Sequence, residues 1–130
     1  ANLTNANSIE DDENTPYPLF HHIFAGKLRL GEYQCTIKEN TNAYKTYGTD
    51  LIKERYRHRF GFNNRFYDKL VENGLVFSGF NSQNKLMEIA ELKNHPFFIG
   101  CQFHPEFISR PNRAHPLFIG FIKACLESDK

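Results

Sequence analysis

Tryptophan is absent from this 130-residue sequence, methionine occurs once, and neither sign of charge predominates. Sixteen Lys and Arg residues are balanced by fifteen Asp and Glu residues, which gives a formal net charge of +1. Such a balance does not favour a polyanion-binding surface, so we expect no nucleic-acid partner. No apolar run is long enough to span a bilayer, and no charged-then-apolar leader opens the chain. We therefore expect a cytoplasmic protein without a membrane partner.

Cysteine is also scarce, with Cys35, Cys101 and Cys125 as its only occurrences. An odd number without C-x-x-C spacing argues against a disulfide framework or a zinc site. The adjacent His21 and His22 do not change this, because neighbouring residues of a strand face opposite sides. The sequence therefore predicts reduced cysteines and no metal site.

The length and mass of 15.2 kDa fit one small domain or part of a larger one. Its first 18 residues are rich in Asn and acidic side chains, a composition that cannot bury enough apolar surface to offset chain entropy. The next six are too few to classify. We interpret residues 1–24 as a polar connecting loop that precedes a folded region, residues 25–130.

Beta-favouring residues predict a strand over residues 30–37, period-two alternation predicts one over 52–62, and a further strand is expected over 75–80. Residues 86–92 and 96–103 are predicted to pair as an antiparallel hairpin. The strand predicted over residues 52–62 carries three arginines on one face, at positions 55, 57 and 59. A nucleic-acid-binding module would start from these arginines, but one short basic run in a neutral chain supports it weakly.

Capping signals predict the helices. Asn64 is expected to cap a helix that Gly74 ends, while residues 40–49 form a loop with at most one helical turn. Pro116 suits the first turn of a final helix. Its apolar stripe is predicted to be core and comprises Leu117, Phe118, Phe121, Ile122, Cys125 and Leu126.

The chemistry is carried by His104 and Glu106, which follow the predicted hairpin. Residues two apart in an extended segment project to the same face, while Phe103 and Phe107 point elsewhere. A carboxylate bonded to one imidazole nitrogen fixes the tautomer, so that the other nitrogen can take a proton from a nucleophile. The spacing fits a base with its orienting acid, and also a surface or structural pair.

Several short motifs of the sequence resemble motifs of one enzyme family. The first is Q-F-H-P-E-F at 102–107, which is followed by S-R-P at 109–111 and H-P-L-F at 115–118. The other two are E-R-Y-R-H-R-F at 54–60 and A-G-K-L-R-L-G at 25–31. Together they resemble the end of a class I (triad) glutamine amidotransferase domain, above all that of the CTP synthase family. The resemblance implies an α/β fold, part of a flavodoxin-like domain with strands, an antiparallel hairpin and a C-terminal helix. Residues 25–130 would be its C-terminal half.

The resemblance also assigns roles. His104 and Glu106 would complete a Cys-His-Glu triad, and Arg29 would bind the substrate glutamine, its alternative being an ordinary strand-edge charge. The motif around Arg29 differs from the family's G-G-T-M-R-L-G, because Ala25 stands in place of a glycine and Lys27 in place of a threonine. No cysteine here sits in the glycine-flanked strand-to-helix turn that such a nucleophile needs, so all three are expected to be structural.

By resemblance, the whole enzyme would hydrolyse L-glutamine and pass ammonia to a synthetase domain. There ATP-activated UTP would be aminated to CTP with magnesium, GTP would act as activator, and the enzyme would be a homotetramer. This chain would hold no cofactor, and its partners would be the preceding part of the glutaminase domain and the synthetase domain. Two alternatives stay open: another class I amidotransferase, such as one serving GMP synthesis, and a degenerate, non-catalytic scaffold.

Overall fold

The computed structural model describes residues 5–128 and contains two sheets and three helices. In chain order, the elements are β1 (Ala6–Ser8), β2 (Tyr17–His22), β3 (Arg29–Ile37), α1 (Asn42–Tyr47), β4 (Leu51–His58), β5 (Phe60–Phe62), α2 (Tyr67–Glu72), β6 (Leu75–Asn81), β7 (Leu86–Leu92), β8 (Ile99–Cys101) and α3 (Pro116–Ser128). None of the described helices is long and apolar enough to cross a membrane.

The main sheet has five strands in the order β4-β3-β6-β7-β8, and all neighbouring strands are antiparallel. The long β3–β4 ladder confirms the predicted alternation within β4, because Ile52, Glu54 and Tyr56 are buried while Arg55 and Arg57 are exposed. The single strand predicted over 52–62 is wrong beyond His58, since the chain divides there into β4 and β5, which lie in different sheets. A buried cluster on this sheet includes Cys35, Ile37, Ile89, Phe103 and Leu117. The β7–β8 hairpin is confirmed, although its second strand is shorter than predicted.

The second sheet has the order β1-β2-β5 and contradicts the loop predicted for residues 1–24. In this sheet β2 pairs antiparallel with β5, and Leu19 and Phe20 pack against a buried cluster that contains Phe62 and Phe77. Pairing with a strand about forty residues later in the chain supplies the stabilisation that the local composition lacks. The loop prediction for residues 1–4 lies outside the described residues.

The cap of the predicted 64–73 helix lies one residue earlier than expected. Asn63 accepts a hydrogen bond from the Arg65 N–H at the start of a 3₁₀ turn that leads into α2. Asn64 instead donates its side-chain amide to the Lys85 carbonyl, 2.8 Å away. Gly74 ends the helix with a φ of +94°, which confirms the predicted stop.

The apolar stripe of α3 is not core in this chain. Leu117 is buried, but Phe118, Phe121, Ile122 and Leu126 are between 43% and 63% exposed, and Cys125 is exposed too. The stripe prediction is therefore wrong except for Leu117, because neighbours such as Phe97, whose ring centroid lies 6.1 Å from that of Phe121, cover the remaining side chains only in part. Contiguous exposed apolar surface of this kind usually marks a contact site.

Candidate functional site

The predicted juxtaposition of His104 and Glu106 is confirmed. His104 Nδ1 lies 2.7 Å from Glu106 Oε1, and both side chains reach solvent, with 36% and 58% exposure. The backbone reason differs from the expected one, because Pro105–Phe107 form a 3₁₀ turn instead of continuing an extended strand. A two-residue separation brings the side chains together here through the turn.

The electrostatics of the pair suit proton transfer. The hydrogen bond with His104 lowers the pKa of Glu106, so this carboxylate stays ionised at neutral pH. With Nδ1 held by the carboxylate, the Nε2 of His104 makes no hydrogen bond to any described residue. Such an imidazole can accept a proton at Nε2 while the carboxylate stabilises the charge that forms.

Phe107 restrains the His104 ring. The two rings are stacked, with centroids 4.5 Å apart and planes 11° from parallel. The expectation that Phe107 points away was therefore wrong, because a 3₁₀ turn brings residue i+3 back over residue i. Phe103 does turn away from the His104–Glu106 pair, called the dyad below, and is 3% exposed. The stacking restricts the ring plane, and the bond to Glu106 fixes its rotation.

Backbone hydrogen bonds attach this turn to the main sheet. The His104 N–H donates to the Arg55 carbonyl at 2.9 Å, and the Gln102 N–H donates to the Glu88 carbonyl at 2.9 Å. Within the turn, Ser109 N–H donates to the Pro105 carbonyl. The dyad therefore sits on a short loop anchored to both β4 and β7.

Arg29 is neither a strand-edge charge nor open to a ligand in this structure. Its residue exposure is 2%, its Nη1 lies 2.6 Å from Glu88 Oε1, and its guanidinium packs on the rings of Tyr33 and Tyr56, with Cζ 4.4 Å and 4.0 Å from their centroids. Burial raises the pKa of Glu88 to about 7, although the neighbouring guanidinium opposes this shift. Arg29 Nε and Nη2 are buried without a described partner. The substrate-binding role stays a prediction.

We expect Arg29→Ala to lower the free energy of unfolding of the folded domain by about 3–5 kcal/mol, because it leaves a buried carboxyl group unpaired. Denaturant unfolding measures this loss. The control is Lys53→Ala, which breaks the exposed Lys53–Glu32 pair and should cost less than about 1 kcal/mol. A folded Arg29→Lys variant with an unchanged glutamine requirement would contradict the substrate-binding role.

Two of the three cysteines are unsuited to be nucleophiles. Burial raises the pKa of both Cys35 and Cys101 to about 12, so both remain thiols at neutral pH. Cys101 Sγ also donates to the Phe103 carbonyl. Cys125 lies exposed on α3, so the expectation that it is buried was wrong. The structure places no cysteine of the described chain in hydrogen-bonding contact with His104.

Sequence reasoning missed a second, buried pair. Glu54 Oε1 lies 2.8 Å from His115 Nε2, and the side chains are 2% and 1% exposed. Glu54 stands on the same alternating face as Tyr56, so the period-two pattern could have indicated its burial. Nothing local indicated its partner. Among residues 5–128, no group of three or more His, Cys, Asp or Glu side chains is arranged to hold a metal ion.

Comparison with known proteins gives a consistent match. The model of the family "Glutamine amidotransferase class-I" matches residues 22–124. The chain is 49% identical over 136 residues to a CTP synthase of Methanothermobacter thermautotrophicus, and the aligned region covers 98% of this chain and 26% of that protein. It is 51% identical over 133 residues to a CTP synthase of Aquifex aeolicus, which covers 96% of this chain and 25% of that protein. The chain therefore spans about a quarter of the length of these curated relatives.

Solved structures agree with the sequence matches. The glutaminase domain of Trypanosoma brucei CTPS, with bound acivicin, superposes with a TM-score of 0.90 at 26% identity. The match covers 96% of this chain and 52% of that one. A putative GMP synthase component from Thermoplasma acidophilum shares the fold, with a TM-score of 0.62 at 15% identity. The α/β fold, the family match and the H-P-E turn lead to one conclusion: the chain belongs to the class I glutamine amidotransferase family.

Proposed function

We propose that this chain is part of the glutaminase domain of a CTP synthase, with His104 as general base and Glu106 as its orienting acid. The observation that carries the proposal is the 2.7 Å bond between His104 Nδ1 and Glu106 Oε1, which leaves Nε2 available on an exposed turn. The identity of about half with CTP synthases supports this enzyme over one serving GMP synthesis. The nucleophilic cysteine would come from outside this chain.

In the proposed reaction, His104 Nε2 removes the proton from the cysteine thiol. The thiolate attacks the amide carbon of glutamine, and the carbon–nitrogen bond breaks as the imidazolium returns the proton to the departing ammonia. Water, deprotonated by the same nitrogen, then hydrolyses the thioester to glutamate and restores the thiol. Glu106 remains ionised throughout and stabilises the imidazolium.

The ammonia would serve a synthetase domain in which ATP, with magnesium, activates UTP for amination to CTP, with GTP as activator. Confinement makes chemical sense, because ammonia released into neutral water becomes mostly ammonium and is no longer nucleophilic. The exposed face of β4, with Arg55 and Arg57, is a candidate contact for that domain or for a nucleotide effector. We further propose a cytoplasmic homotetramer as the working enzyme.

Glu106→Ala in the complete enzyme tests the proposal. We expect glutamine-dependent CTP formation to fall by a smaller factor than on removal of the base, because the orienting acid of a triad contributes less than the group it orients. Formation from added ammonia should stay near wild type. The rates are measured with both nitrogen donors in the same preparation.

Glu72→Ala is the matched control, since Glu72 is an exposed carboxylate at the end of α2. It should leave both rates unchanged. If Glu106→Ala reduced the two rates equally in a folded enzyme, the dyad would not belong to glutamine hydrolysis.

A further inference from the structure

The buried pair of Glu54 and His115 has no part in the proposed proton transfers. Tyr47 OH also donates to Glu54 Oε1 at 2.8 Å, whereas Glu54 Oε2 has no described partner. Enclosing a carboxyl group and an imidazole together is costly, and an apolar pair of similar volume often serves stability as well or better. The position of the pair relative to the dyad suggests another reason for it.

The hydrogen bonds define which nitrogen of His115 carries its proton. Nδ1 accepts from the Leu117 N–H at 3.2 Å, at the start of α3. The ring proton therefore lies on Nε2, directed at Glu54 Oε1. Both nitrogens are engaged, one by the helix end and one by strand β4, so the imidazole joins these two elements.

The same two elements hold the ends of the dyad's turn. The backbone carbonyl of Arg55, next to Glu54 in β4, accepts a hydrogen bond from the His104 N–H at the start of the turn. At the other end, the His115 N–H donates to Ser109 Oγ at 3.1 Å. Phe103 fills the space between, with its ring centroid 5.7 Å from that of Tyr56 and 6.4 Å from that of His115.

We propose that Glu54 and His115 form a clamp that positions the His104–Glu106 turn for catalysis. The clamp, defined as the Glu54 Oε1–His115 Nε2 hydrogen bond, holds the two anchors of the turn at a constant separation. Its loss lets the turn shift against the sheet while leaving the dyad's own bond intact. A displacement of about 1 Å at a reacting group costs on the order of 10²-fold in rate. The inference rests on the proposed glutaminase function.

Two substitutions of His115 separate the clamp from the helix end. In His115→Asn, the amide oxygen stands where Nδ1 was and still accepts from Leu117, but the side chain is too short to reach Glu54. In His115→Gln, the amide nitrogen can reach Glu54 while the contact with Leu117 is lost. In the complete enzyme we expect His115→Asn to lower kcat for glutamine about 10- to 100-fold with little change in KM. His115→Gln should recover most of this rate.

The ammonia-supported rate should stay within about twofold of wild type in both variants. Tyr47→Phe is the control for stability. It removes a hydroxyl that donates to the same Glu54 oxygen and lies 3.4 Å from His115 Nε2, but it leaves the Glu54–His115 bond and the two hydrogen bonds that anchor the turn in place. It should cost about 1 kcal/mol of unfolding free energy and leave kcat unchanged. Glu54→Asp, which withdraws the carboxyl group by one methylene, is the second clamp variant and should behave like His115→Asn.

Wild-type kcat in His115→Asn or Glu54→Asp would overturn the clamp, as would a His115→Gln enzyme no better than His115→Asn. A His104→Ala enzyme assayed in parallel separates this failure from that of the proposed function. If His104→Ala retained glutamine-dependent synthesis, the glutaminase assignment itself would fail. If it lost that activity while the clamp variants kept theirs, only the clamp would be rejected.

Discussion

Replacement of His104 by alanine in the complete enzyme is expected to abolish glutamine-dependent CTP formation, with a loss of at least about 10³-fold. The substitution removes the Nε2 atom that would deprotonate the nucleophile and later protonate the leaving ammonia. The turn itself should survive, because none of its anchoring hydrogen bonds uses the His104 side chain: the His104 N–H donates to the Arg55 carbonyl, and Ser109 Oγ accepts from the His115 N–H. Formation of CTP from added ammonia should therefore remain close to wild type.

The comparison of two nitrogen donors makes this result specific. His95→Ala is the matched control, since His95 is an exposed histidine in the turn between β7 and β8. It should leave both rates unchanged. Parallel loss of both rates in a folded His104→Ala enzyme would indicate a structural role for His104. Unchanged glutamine-dependent synthesis would favour the non-catalytic scaffold.

Local patterns in the sequence predicted the elements that depend on neighbouring residues. The β7–β8 hairpin, the alternation along β4 and the stop at Gly74 follow from periodicity and backbone preference over a few residues. The dyad was predictable for a similar reason, because two residues so close in sequence meet in a strand or in a turn. The stacking of Phe107 was missed because it exists only in the turn.

Partners distant in sequence were not predictable in this way. Arg29 pairs with Glu88, 59 residues later, and Glu54 meets His115, 61 residues later. No local signal joins such residues, so Arg29 was interpreted as a substrate contact or a surface charge without regard to its burial. Strand β2 was missed likewise, because its partner β5 lies about forty residues further along.

The α3 stripe shows a different limit. Periodicity states which side chains share a helix face, but it does not state what covers that face. Here Leu117 reaches the core of the described chain, whereas Phe121 and Ile122 stay exposed. The matched region makes up 52% of the Trypanosoma brucei chain, so that protein contains further residues outside the match. Periodicity alone therefore does not establish whether such a stripe is buried.

The 130-residue chain, prepared alone, is expected to show no glutamine hydrolysis and to self-associate. It supplies a base and an acid without a suitable thiolate, and triad members act as a unit. Its exposed apolar surface includes the α3 stripe, and an apolar groove of about 290 Å³ opens beside the half-buried Leu19, Phe20 and Met87. Glutamate release, size-exclusion chromatography and a thermal melt measure these properties. Addition of the preceding part of the glutaminase domain should restore a cooperative melt and turnover.

A charged substitution distinguishes specific association with the preceding part of the domain from nonspecific self-association. Phe121→Glu should reduce self-association of the chain alone, because it interrupts the exposed apolar face, and it should also prevent restoration of turnover by the preceding part. Lys123→Ala, an exposed position on the same helix, should leave self-association and restoration unchanged. If the chain alone melted cooperatively and hydrolysed glutamine, the site would be complete within these residues. The nucleophile would then have to be one of its three cysteines, and exposed Cys125 would be tested first, because burial keeps Cys35 and Cys101 protonated.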